Sequence, residues 1–228
     1  MPRLTPAALC LPALLAISAP ALAQDTAQPP AVPPLQEEPI GLFVVDARGT
    51  WARFKQLPAI GTALGVDANT TLPGRGVGAV LGAHVYPLRG RGVALGIGGE
   101  VLLRASGSRS APPAVKDGPE GPVVRTRMSA LSPQVSLNFG KRDGWSYVSG
   151  GIGWATYTSE RADAPFAEAE ARPRALNYGG GARWFTKKHL AFALDLRFYA
   201  INPQEPTAAR PPFPRMTVMV FSAGIATR

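Results

Sequence analysis

The chain has 228 residues, 46% of them hydrophobic and 17% charged, with one cysteine, two histidines and a formal net charge of +9 at pH 7. That length fits one ordinary domain or one barrel, and so little cysteine and histidine excludes a disulfide framework or a clustered metal site. The positive charge is spread over turns and loops, with no basic helix and no RNA-binding aromatic motif, which argues against nucleic acid as a partner.

Met1 to Gln24 joins an early Arg3 to an apolar run ending Ala21-Leu22-Ala23, the plan of a signal peptide (1–23) cleaved after Ala23. A retained anchor is the weaker reading. Pro6, Pro12 and Pro20 interrupt the run, and a span needs about 20 apolar residues. Cys10 lies in this segment behind Leu9, where a lipoprotein signal wants a small residue, so the exported chain is expected to carry no cysteine or lipid anchor. Exported chains without cysteine are ordinary in bacterial envelopes. Residues 24–40 are Pro-rich and aperiodic, which predicts a disordered leader before a barrel domain at 41–228.

Eight segments then alternate apolar and small or polar residues, as strands must when successive side chains point to opposite faces. They are Leu42 to Phe54, Gly76 to Pro87, Gly92 to Arg104, a fourth ending at Phe139, Gly144 to Thr158, two flanking a turn at Thr186 to His189, and Arg215 to Thr227. Pro133 in the fourth removes a ladder hydrogen bond, so a bulge or a shortened strand is expected there. The connections alternate long and short. The long ones are 56–75, 105–125, 159–174 and 203–214, and the short ones 88–91, 140–143 and 186–189. One end of the sheet therefore carries tight turns and the other large loops, the plan of an antiparallel up-and-down transmembrane β-barrel with an all-β fold.

The two faces differ in kind. Phe192, Leu194, Leu196 and Phe198 share one face of the seventh strand, with Asp195, Arg197 and Tyr199 on the other. Large apolar residues suit lipid, whereas small residues and paired charges suit a lumen that eight strands leave just wide enough for side chains. The alternative is a soluble lipocalin-like or avidin-like barrel with the apolar face inside, whose outer face should be richer in Lys, Glu and Thr than in Gly. By parity the lumen receives Asp46, Arg48, Glu100, Arg104, Asp195 and Arg197, a set expected to form a neutralising salt-bridge plug or, alternatively, a gated polar pathway. On the apolar face Trp51, Trp154, Tyr178 and Phe198 fall towards the loop end and Phe139, Trp184 and Phe192 towards the turn end. They approximate the two aromatic girdles of a membrane protein.

With YVSGGIGWATY, NYGGGARWF, LAFALDLRFYAI and VMVFSAGIATR, residues 41–228 resemble the small eight-stranded outer-membrane barrels of the OmpA transmembrane-domain and OmpX/Ail type. The resemblance implies a monomeric bacterial outer-membrane protein, not an enzyme and without a cofactor. It implies contacts with outer-membrane lipid, lipopolysaccharide and the outer-membrane assembly machinery, and an extracellular ligand for the loops. One departure is the ending Ile225-Ala226-Thr227-Arg228, where many such barrels close on an aromatic residue. Two other functions stay open: a narrow polar, porin-like channel, and a lipid A-modifying enzyme, a class that uses His and Ser. Against the enzyme, His189 lies at the turn end and His84 faces the lumen with no evident Ser-carboxylate partner. The glycine runs 74–78 and 150–153 precede no helix and so lack the basis for phosphate binding.

Overall fold

The computed structural model describes residues 38–165, 172–207 and 212–228. The expected signal peptide and residues 24–37 of the expected leader lie outside them. The leader's last residues are described: Glu38 pairs with Arg142, and Ile40 is buried, so order begins before residue 41.

Eight strands form the fold: β1 (Phe43–Arg53), β2 (Arg75–Arg89), β3 (Val93–Ser110), β4 (Val123–Lys141), β5 (Gly144–Arg161), β6 (Arg174–Lys187), β7 (Leu190–Ile201) and β8 (Met216–Thr227). Each pairs antiparallel with the next, and β8 returns to β1, so the sheet closes into a barrel with no free edge. One rung runs Phe43, Val85, Ile97, Val135, Gly150, Tyr178, Phe198, Met219 and comes back to β1 at Arg53, ten residues beyond its start. That stagger tilts the strands and sets the bore. In β1 burial alternates without a break: Val44, Asp46, Arg48, Thr50 and Ala52 point inward, and Phe43, Val45 and Trp51 point out.

Three departures from the expected strands have physical causes. First, β3 and β4 run on to Ser110 and from Val123, so the loop expected over 105–125 shrinks to 111–122, and β5 continues through Glu160. The alternation on which the shorter estimate rested is interrupted by a β-bulge. Ala79 faces Arg104 but Val80 faces Leu102, and on the other side Leu102 and Ala105 face Ala130 and Met128. Leu103 and Arg104 are thus both turned outward before Ala105 resumes the inward face. Gly78 admits the bulge, since a Cβ there would sit 1.6 Å from the Arg104 carbonyl oxygen.

Second, Pro133 neither bulges nor shortens β4. Register with β5 is the same on both sides, Leu131 opposite Trp154 and Val135 opposite Gly150, but the pairing lapses between them. Gly151 tolerates the tight spot, where a Cβ would lie 1.9 Å from the Pro133 carbonyl oxygen. Third, the connection after β1 is not open loop. It folds as α1 (Pro58–Leu64) and α2 (Ala68–Thr71). Pro58 opens α1 where its missing N–H costs nothing, and Gly65 closes it in the left-handed conformation. Asp67 caps α2 by accepting from the N–H groups of Asn69 and Thr70, each at 2.9 Å. Hydrogen bonds from Thr70, backbone first, hold that carboxyl below its ordinary range.

Candidate functional site

The inward faces of all eight strands stack into three tiers, and the middle one holds the charges. β1 contributes Asp46 and Arg48, β3 Glu100, β6 Arg183, and β7 Asp195 and Arg197, all buried. Arg48 is the hub: its Nε lies 2.8 Å from Asp46, its Nη1 3.4 Å from Asp195, and its Nη2 bonds Glu100. Arg197 reaches the other oxygen of Glu100 at 2.9 Å and Asp195 at 3.0 Å, while Arg183 holds Asp46 at 2.7 Å. Three carboxylates therefore meet three guanidinium groups, and the tier is neutral. Its periphery is polar as well. The Tyr147 hydroxyl donates to Asp195 at 2.8 Å, and Arg197 donates to Ser149 at 2.9 Å and Asn177 at 3.3 Å. The Arg183 guanidinium also lies 4.4 Å from the centre of the Tyr147 ring, a cation–π contact.

Five of the six residues expected in the lumen network thus meet there. Arg104 does not: the bulge turns it out of the barrel, where it is exposed. Arg183 takes the place of the third cation. It shares the parity of Asn177 and Gly181 on β6, which is the signal in the sequence that places it inside, but it stands close to the turn end of that strand.

Towards the turn end lies an aromatic tier of Tyr86, Trp145 and Phe185 beside Ile40 and Val44. Trp145 stands edge-on to Tyr86 at 6.0 Å and stacks on Phe185 at 5.1 Å. Towards the loop end the interior carries no ion pair and is mostly apolar, the buried Thr126 and Ser159 hydroxyls meeting each other at 2.8 Å. Val80, Leu102, Met128, Tyr157, Ile201 and Val218 pack from the strands, and Ile60, Leu64 and Leu72 descend on them from the helical connection. Phe54, Tyr157 and Phe213 form an edge-on aromatic chain with centroids 5.6 and 5.8 Å apart. The first connection thus folds over the lumen as a lid whose apolar side is buried in it.

The arrangement offers little reactive chemistry. Every carboxylate in the charged tier is engaged by arginine, and none has a hydroxyl nucleophile on a histidine beside it. His84 is buried with Nδ1 unbonded, and His189 Nδ1 lies 3.0 Å from the Arg228 carbonyl oxygen at the turn end. Among the described residues no three His, Cys, Asp or Glu side chains gather as a metal site would need.

The outer surface is the reverse of the interior. Val77, Leu81, Val85, Ile97, Val135, Val148, Ile152, Leu196 and Ile225 are exposed on it. Trp51, Phe139, Trp154, Tyr178, Trp184 and Phe192 are exposed too, and Phe198 is half-buried. Two cross-strand pairs stack, Tyr178 on Phe198 at 5.4 Å towards the loop end and Trp184 on Phe192 at 6.4 Å towards the turn end. The soluble alternative required the opposite arrangement of faces.

No family model matches the chain, and no curated protein does. Among solved structures it is similar to Neisserial surface protein A (10% identity, TM-score 0.48, covering 81% of this chain and 96% of that one). It is similar also to Ail, the attachment invasion locus protein of Yersinia pestis (11%, 0.46, 82% and 98%). A third is the outer membrane protein OprG from Pseudomonas aeruginosa (10%, 0.48, 85% and 98%). Likeness at this level carries no implication for activity. The chain's own strand order and register establish what it is in architecture: a closed, up-and-down, antiparallel β-barrel of eight strands.

Proposed function

We propose that this barrel is an integral protein of a bacterial outer membrane, with a structural or surface-interacting role rather than a catalytic or conducting one. The observation that carries the reading is the inversion of its faces: a belt of Val, Leu, Ile and aromatic side chains outside, and a neutral ionic tier inside. An apolar belt on that scale is far larger than a soluble monomer exposes, and a closed barrel satisfies its backbone within lipid. The partners that follow are outer-membrane lipid and lipopolysaccharide around the belt, the assembly machinery that inserts such barrels, and an extracellular ligand at the loop end. The working unit is a monomer. A porin-like role finds less support because an apolar tier and a folded lid lie above the charged tier. A lipid A-modifying role finds less support because the interior carboxylates are committed to arginine.

The test is fractionation of expressing cells followed by washing of the membranes. The protein is expected in the outer-membrane fraction, resistant to high salt and alkaline carbonate and extracted only by detergent, with an intact mass that begins at Gln24. Release without detergent contradicts the membrane reading, and a mass that retains residues 1–23 contradicts the export reading.

A further inference from the structure

Most of the outer wall is lined by side chains of the apolar belt, but on β3, β4 and β5 near the loop end it opens into a groove of about 970 Å³. Two successive tiers of outward residues make it. The lower is the rung Val101, Leu131, Trp154, which Arg174 continues on β6. The upper holds Leu103 from the bulge, Ser129 and Thr156, which face each other across β4 and β5, and Arg172 just beyond. Within one rung the wall changes from hydrocarbon to hydroxyl and guanidinium.

Among the described residues the charge around this groove is one-sided. Arg104, Arg172 and Arg174 are all exposed, and none has a carboxylate partner among the described residues. The neighbouring Arg127 differs, since Glu160 holds it at 2.7 Å. The bulge matters here. It places Arg104 outside, next to Leu103 on the groove wall, rather than in the lumen, and so adds a charge to the rim.

We propose that this groove is a binding site for an anionic, phosphate-bearing membrane lipid. An acyl chain lies against Val101, Leu131 and Trp154, and the phosphate meets Arg172, with Arg104 and Arg174 on either side. The occupant is a lipid rather than a free phosphate, because the apolar tier has nothing to offer an ion without a tail. The volume falls within the range of small-molecule sites, roughly 300–1,000 Å³. The proposal rests on the membrane reading above.

Trp154 lines the groove and serves as its probe. The full barrel is reconstituted in bilayers containing brominated phosphatidylglycerol or brominated phosphatidylcholine, and its fluorescence quenching is compared with that of Trp154→Phe. The difference between the two proteins isolates the groove signal. In wild type the anionic lipid is expected to quench that signal at about fivefold lower mole fraction, the effect of one arginine contact at a membrane surface. The preference should vanish in Arg104→Gln/Arg172→Gln/Arg174→Gln, whose changes are all on the exposed face. Equal quenching by the two lipids in wild type, or a preference that survives the triple change, overturns the site. Trp51 and Trp184 keep the two readings apart. If brominated lipid of neither kind quenches them, the membrane reading fails. If both kinds do while Trp154 shows no preference, only the groove fails.

Discussion

The charged tier and the apolar tier fill the same bore by opposite means. Around Arg48 the bore is filled by ion pairs, and each guanidinium is held by carboxylates that would be costly to bury alone. Around Met128 and Tyr157 there is no charge, and the space is filled by side chains from the strands and from α1 and α2. The first tier depends on pairing, because a buried charge that loses its partner is stranded. The second depends on volume, because a core that loses atoms keeps the hole. The two should therefore fail differently.

The largest effect is expected in the charged tier. Glu100→Ala removes a carboxylate that both Arg48 and Arg197 hold, and stranding a buried charge costs about 3–5 kcal/mol. Urea unfolding of the reconstituted barrel should show it as a lower midpoint. Replacing Arg48, Glu100, Asp195 and Arg197 together by apolar residues of similar volume, which leaves the Asp46–Arg183 pair intact, should recover much of the loss, which no single change in the apolar tier could do. Met128→Ala in the apolar tier should cost about 2–5 kcal/mol by cavity formation. Its loss should be insensitive to any change in the charged tier, so a double-mutant cycle with Glu100→Ala should show additivity.

Tyr147→Phe separates hydrogen bond from ring. It removes the donor to Asp195 and keeps the face beneath Arg183, so about 1.5–3 kcal/mol is expected on the same unfolding measurement. The smallest effect is expected at Arg104→Ala, within about 0.5 kcal/mol of wild type, because that side chain is exposed and outside the ionic tier. A loss comparable to that of Glu100→Ala would return Arg104 to the lumen and remove the bulge from the account.

The sequence made the barrel legible because its two signals are local. Period-two alternation in Phe192 to Phe198 and the long-short rhythm of the connections need no knowledge of distant contacts. The ionic tier was legible for the same reason wherever the pleat is regular, as at Asp46, Arg48, Asp195 and Arg197. It failed at Arg104 because parity counting assumes an unbroken pleat. One extra residue between Leu102 and Ala105 inverts everything after it, and its visible trace, a glycine at position 78, sits on another strand. The lid was missed although its signals were present: Pro58 at a helix start, Ile60 and Leu64 four apart, Gly65 at the end and Asp67 as the next cap. Such short helices carry little weight against a reading of surface loop until the apolar lumen mouth that receives them is known.

The two tiers together close the bore, and planar-bilayer recording of the purified wild-type barrel tests this most directly. Both the ionic pairs and the lid should have to yield before ions pass, so the account predicts insertion without measurable steady conductance. Large, steady single-channel currents from wild type would contradict it and assign the charged tier to an ion path instead of a plug.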